Sequence, residues 1–189
     1  RGGSVIIIPA LAEGQTPQFS DEGGDERDAL DDAFSSLLPY APAVRPGWQV
    51  WTGDNAYYRC AIPPGEEWAE ALRLGADPED NLRRWQELPA FYRFFSIPAL
   101  RPGIRILLHE RQTQSPLLTE MAVGNGRAFF LATNETWRWR RKVGSRDHER
   151  FWFQLVRHAL GEPYTIIGHR LSQDPAHADA LYVLMPMRV

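Results

Sequence analysis

The only cysteine of the chain, Cys60, is its one thiol nucleophile. It could attack a carbonyl only with a histidine beside it in space to take its proton. His109, His148, His158 and His169 are available, but their spacing does not say which comes close. Cys60 lies between Arg59 and Ala61, a setting that equally suits a small buried hydrophobe. A second candidate is Glu135, a lone carboxylate that follows the apolar run "AFFLA". The third is the stretch "TWRWRRKVG" at 136–144, dense in tryptophan and cationic side chains.

That stretch supports three readings. If Trp137 and Trp139 alternate with Arg138 and Arg140 as on a strand, the tryptophans face the core and the arginines face out or stack on rings. Packing is the plainest reading, with Trp137, Trp139, Phe151 and Trp152 locking the preceding strand to the following helix. Alternatively Arg138, Arg140, Arg141, Lys142, Arg146 and Arg150 form a patch for an anionic or protein partner. Nucleic-acid binding is not expected, because the net charge is −3 and no nucleic-acid module is recognisable. Glu135 reads as the partner of Arg138 or Arg140, fixing the turn after the strand, or as a ligand-binding corner.

Metal chemistry finds little support. The five histidines lack H-E-x-x-H spacing, and one cysteine cannot build a thiolate zinc site. His109-Glu110 and His148-Glu149 are adjacent pairs, which point apart on a strand and splay on a helix. Asp147 with Arg150 reads as a surface ion pair. The acidic residues of 21–32 lack the alternating ligand pattern of a calcium loop and read as a solvated helix face. No cofactor is expected.

The elements that must position these residues can be read from patterning. With 189 residues, 43 % of them hydrophobic, the chain has the size and composition of a single globular domain over 1–189. "SVIIIPAL" (4–11) reads as a buried parallel strand. A helix is expected over 25–40, ended by Pro39. Segment 41–67 is punctuated by Pro and Gly, with short extended pieces at "WQVW" and "YYRCAI". Asp77, Pro78 and Asp80 open a helix whose apolar side is Leu82, Trp85 and Leu88. A strand follows the Pro-Gly turn at 102–103, and two strands meet around Gly124-Asn125-Gly126. The clearest helix is 145–161, and a last strand is expected within 178–189. The class is therefore α/β, a layered sheet with flanking helices and an antiparallel hairpin. The chain opens "RGGSVIII" directly into a strand, so it reads as a piece of a longer protein.

Four segments together carry a family resemblance. They are "NLRRWQELPAFYRF" (81–94), "ALRPGIRILLHE" (99–110), "PLLTEMAVGNGRAFFLATNETWRWRRKVGSRDHERFWFQLVRHAL" (116–160) and, more weakly, "RGGSVIIIPA" (1–10). In this order they resemble the glutamine-amidotransferase-like domain of large bacterial membrane proteins, often found beside von Willebrand factor A-type segments. The resemblance implies a flavodoxin-like sheet of the class I amidotransferase kind, here without its N-terminal strands. It also implies membrane association through segments outside this chain. Catalytic relatives carry a cysteine on a tight elbow after one strand and a histidine, with a carboxylate two residues on, after another. Here "SVIII" runs into Pro9-Ala10-Leu11, and "AFFLA" into Thr133-Asn134-Glu135. The cysteine and histidine positions hold other residues, which implies a catalytically silent binding or structural module. The rival is a hydrolase or amidotransferase that uses Cys60 or a nucleophile from outside the chain.

Overall fold

A computed structural model describes residues 3–9, 35–140 and 145–161. Its strands are β1 (Ser4–Ile7), β2 (Gly47–Val50), β3 (Cys60–Ala61), β4 (Arg93–Ser96), β5 (Arg105–Glu110), β6 (Pro116–Val123) and β7 (Gly126–Leu131). The helices are α1 (Pro78–Glu87) and α2 (Ser145–Leu160), with 3₁₀ turns at Glu70–Leu72 and Thr136–Arg140. The fold is mixed α/β. One sheet runs β1-β7-β6-β5-β3, and β2 with β4 forms a separate antiparallel ribbon. Within the larger sheet β1 and β7 are parallel, and the other pairs are antiparallel. The helix expected over 25–40 lies mostly, and the strand within 178–189 wholly, outside the described residues.

The β6–β7 hairpin turns at Gly124, whose φ of 56° suits a residue without a Cβ. This turn sets the register Val123↔Gly126 through Leu118↔Leu131. Side chains then alternate between two covered faces. Phe129 meets His158 of α2 edge-on at 5.7 Å, while Phe130 meets Tyr40 at 6.2 Å and Phe95 of β4 at 6.1 Å. The sheet is thus sandwiched between the helices and the ribbon. β1 is parallel as its sequence suggests, but it is not a doubly buried strand. It ends the sheet among the described residues, and only Ile7 of its four residues is deeply buried.

Helix α1 starts where its sequence says. The Asp77 carboxylate accepts the Asp80 N–H at 2.8 Å, and Pro78 occupies the first turn. Trp85 and Leu88 point inward, but Leu82 is exposed and Asn81 takes the inner place. The Asn81 side-chain oxygen accepts Leu74 N–H at 2.7 Å and Gly75 N–H at 3.1 Å. The loop before the helix folds back on its first turn, so its buried N–H groups need a polar residue there.

The centre of the helical layer is an aromatic triad. Trp85 of α1, Trp139 of the turn and Phe151 of α2 meet edge-to-face at 5.2 to 5.9 Å between ring centroids. Trp85 satisfies its indole N–H on the Leu72 carbonyl at 2.8 Å. Among the described residues no helix is long and apolar enough to cross a membrane.

Candidate functional site

β1 and β7 run parallel with Ile7 beside Phe130, so Ile8-Pro9 and Ala132–Glu135 leave the sheet at the same end. In open α/β sheets, ligands gather at the carboxyl ends of parallel strands. Here β4 is stitched across the exit of β7. Phe95 N–H donates to the Ala132 carbonyl at 2.6 Å, and the Thr133 hydroxyl donates to the Arg93 carbonyl at 3.0 Å. The Glu135 carboxylate accepts Tyr92 N–H at 2.6 Å and pairs with Arg93 at 3.5 Å. Among the described residues two buried atoms at this corner, Arg93 Nε and Asn134 Oδ1, have no hydrogen-bond partner, Arg93 Nε having only its ion pair with Glu135.

The partner of Glu135 is therefore Arg93, not Arg138 or Arg140. Arg138 turns away: its Nε donates to the Ala90 carbonyl at 3.1 Å. Its guanidinium lies over the rings of Tyr92 at 4.6 Å and Trp137 at 5.4 Å. Arg140 Nε lies 3.3 Å from Nδ1 of His148. The expected alternation of tryptophans fails because residues 136–140 form a 3₁₀ turn. At three residues per turn, positions i and i+3 share a face. Thr136 and Trp139 are therefore both buried, whereas Trp137 is 42 % exposed and lies outside the core.

Of the other arginines proposed for a patch, Arg146 is exposed and Arg150 half-buried, and Arg141 lies outside the described residues. Phe151 is fully buried and Trp152 partly so. Asp147 is not the surface partner of Arg150. It is buried and pairs at 2.9 Å with Arg84 of α1, which also holds Asp80 at 2.9 Å. The guanidinium of Arg84 and the N–H of Ala76 pull the Asp80 carboxyl down to a pKa of about 2.

Cys60 sits on β3, three strands from β7 in the sheet order β7-β6-β5-β3. At ~4.8 Å per strand that is roughly 14 Å across the sheet from the corner at Glu135. The thiol is buried, and burial, with the nearby Glu110 charge, pushes its pKa up to about 12. At neutral pH it stays a protonated thiol, the unreactive form. Its register neighbour Glu110 is fully buried and holds the β5–β6 loop together. That carboxylate accepts N–H bonds from Arg59, Gln112 and Thr113 at 2.7 to 3.2 Å, and the Thr113 hydroxyl at 3.0 Å. His109, also buried, turns Nδ1 to the Glu110 carbonyl at 3.0 Å.

An ionic network that sequence reading missed lies on the other side of the hairpin. Glu120 of β6 pairs at 3.2 Å with each of Arg105 of β5, Arg127 of β7 and His158 of α2. Arg105 also pairs with Glu66 at 2.6 Å. Burial alone would raise the Glu120 carboxyl; His158, Arg127 and Arg105 outweigh it and hold the pKa below its ordinary value. Arg105 and Glu120 are direct cross-strand partners. The pair is visible in the sequence only once the register of β5 on β6 is known.

Among the described residues no group of three or more His, Cys, Asp or Glu side chains could hold a metal ion. The hollow between Trp68 and the first turn of α1 has a volume of ≈ 20 Å³, room for one water. Fold and site together define a mixed α/β domain with a polar corner at the carboxyl ends of its parallel pair. The chain matches no family model, no curated protein and no solved structure.

Proposed function

We propose that this chain is a non-catalytic binding module with a flavodoxin-like, glutamine-amidotransferase-like plan, carried by a larger membrane-associated bacterial protein. The family assignment and the membrane association rest on the sequence resemblance of 81–160. The observation that carries the non-catalytic reading is the pairing at the carboxyl ends of β1 and β7. Pro9 offers no side-chain nucleophile there, and Glu135 is held by Tyr92 N–H and Arg93 rather than presented as a free base. The one thiol lies across the sheet, buried and protonated.

The binding reading rests on the same corner. Among the described residues Asn134 Oδ1 is a buried acceptor with no hydrogen-bond partner, and Arg93 Nε has only its 3.5 Å ion pair with Glu135, so this corner has bonding capacity left for a partner. Close by in the chain, Tyr92 and Trp137 present partly exposed rings under the Arg138 guanidinium. Such a surface suits a polar or anionic group presented by a protein partner.

Hydrolysis of glutamine and of p-nitrophenyl acetate by the wild-type chain and by Cys60→Ala tests this against the rival reading. The two proteins should give the same rates as buffer. Turnover by the wild type that disappears in Cys60→Ala would establish a thiol hydrolase instead.

A further inference from the structure

Both ring nitrogens of His148 face N–H donors. Arg140 Nε lies 3.3 Å from Nδ1, and Trp152 Nε1 lies 3.1 Å from Nε2. Neither an arginine nor an indole N–H can accept a hydrogen bond. A neutral imidazole carries one ring proton and satisfies one of these donors. An imidazolium carries two and satisfies neither. It would also set a second positive charge against the Arg140 guanidinium. His148 as a residue is only 6 % exposed, so water has little room to replace the lost bond.

The charged groups around the ring come from three elements. Arg140 approaches from the turn Thr136–Arg140. Asp147 and Glu149 flank it on α2, where Glu149 is exposed. The Asp147 carboxylate is already taken by Arg84 of α1 at 2.9 Å, so it is not free to receive an imidazolium.

We propose that His148 is an acid-released latch between α2 and the turn Thr136–Arg140. Protonation breaks the one hydrogen bond that the neutral ring accepts, sets both ring N–H groups against the Arg140 and Trp152 donors, and loosens the turn that places Trp137 and Arg138 beside Glu135. Burial, then Arg140, lowers the pKa of the ring to about 4, with Glu149 opposing. Once released, the ring returns towards its ordinary value near ~6.5. The open form therefore binds the proton more tightly, and opening is favoured as pH falls from that value towards 4. The latch stays shut at neutral pH and yields under mild acid.

Hydrogen exchange read by mass spectrometry on the full chain at pH 7 and pH 4.5, corrected for intrinsic rates, tests the latch. Exchange in 136–140 and 145–152 should rise at least about tenfold relative to β5–β7 on acidification, from the linkage between the two pKa values. His148→Gln, which keeps an acceptor but cannot be protonated, should lose that rise. No pH-dependent rise in the wild type, an equal rise in His148→Gln, or a uniform rise in all elements would each overturn the proposal. Should His148→Gln not fold, an NMR titration of the wild-type ring decides. A His148 Cε1–H midpoint below pH 5, moving together with the amides of 136–140, supports the latch, and a midpoint at the ordinary value overturns it.

Discussion

The carboxylate of Glu135 accepts the backbone N–H of Tyr92 at 2.6 Å, joining residues 43 positions apart in the chain. This bond ties the start of β4 to the exit of β7, where Thr133 already holds the Arg93 carbonyl. Replacing Glu135 by Ala leaves the half-buried Tyr92 N–H unsatisfied and Arg93 without its counter-charge. The expected loss is about 2–4 kcal/mol in chemical denaturation. Glu135→Gln keeps an acceptor and should lose less, about 1 kcal/mol. Equal losses for the two variants would mean that the hydrogen bond to Tyr92 does not hold the corner.

Trp139 and Trp137 stand two residues apart and should behave differently. Trp139 is 1 % exposed and touches both Trp85 and Phe151. Its truncation to Ala should cost about 3–5 kcal/mol. Trp137→Ala, at an exposed ring, should cost less than about 1 kcal/mol. Thermal melts of the two variants check the 3₁₀ geometry directly, since a strand-like alternation would make the two losses similar.

Gly126 opens β7 against the start of β1. A Cβ there would lie 1.8 Å from the Gly3 carbonyl oxygen, a distance no relaxation of a side chain can relieve. Gly126→Ala should therefore pull β1 away from β7 while leaving the β6–β7 register intact. Amide exchange at Val5 to Ile7 should rise strongly, and exchange at Phe129 to Leu131 from pairing with β6 should change little. Undisturbed protection of β1 would contradict the observed pairing.

Asp80 supplies a pH dependence with a definite sign. Its folded pKa, about 2, lies below the ordinary carboxyl value of 3.8. A depressed carboxyl stabilises the fold above its unfolded pKa and loses that contribution as pH falls through the folded one. The stability gap between wild type and Asp80→Asn should therefore be full at pH 5 and shrink towards pH 2. A gap that stays constant over that range would show that the ion pair with Arg84 contributes nothing through charge.

Local signals in the sequence carried over well into the structure. Asp77-Pro78-x-Asp80 marks the start of α1, Gly124-Asn125-Gly126 marks the hairpin, and the apolar spacing of 148–160 marks α2, closed by Gly161 with a φ of 67°. In each case the pattern acts within a few residues, where backbone geometry is decided. Long-range choices were not legible. Glu135 chose Arg93 over the nearer Arg138 and Arg140, and Asp147 chose Arg84, 63 residues away, over Arg150. Those partners depend on which elements pack together, and charge spacing along the chain does not encode it. The 3₁₀ turn misled for another reason. A five-residue stretch with alternating Trp and Arg fits a strand, and the three-residue repeat shows only through Thr136 and Trp139.

The central claim is that the only thiol is structural and that, among the described residues, the carboxyl-end corner presents no thiol and no free base, its Thr133 hydroxyl and Glu135 carboxylate being engaged with β4 and the residue before it. The rate of alkylation of Cys60 in the folded chain, by iodoacetamide across pH 6 to 9, tests it most directly. The account predicts labelling that is slow throughout this range and rises to the free-thiol rate only on unfolding, as burial and a pKa of about 12 require. Fast labelling of the native protein at pH 6 would reveal an activated thiolate and contradict the non-catalytic reading.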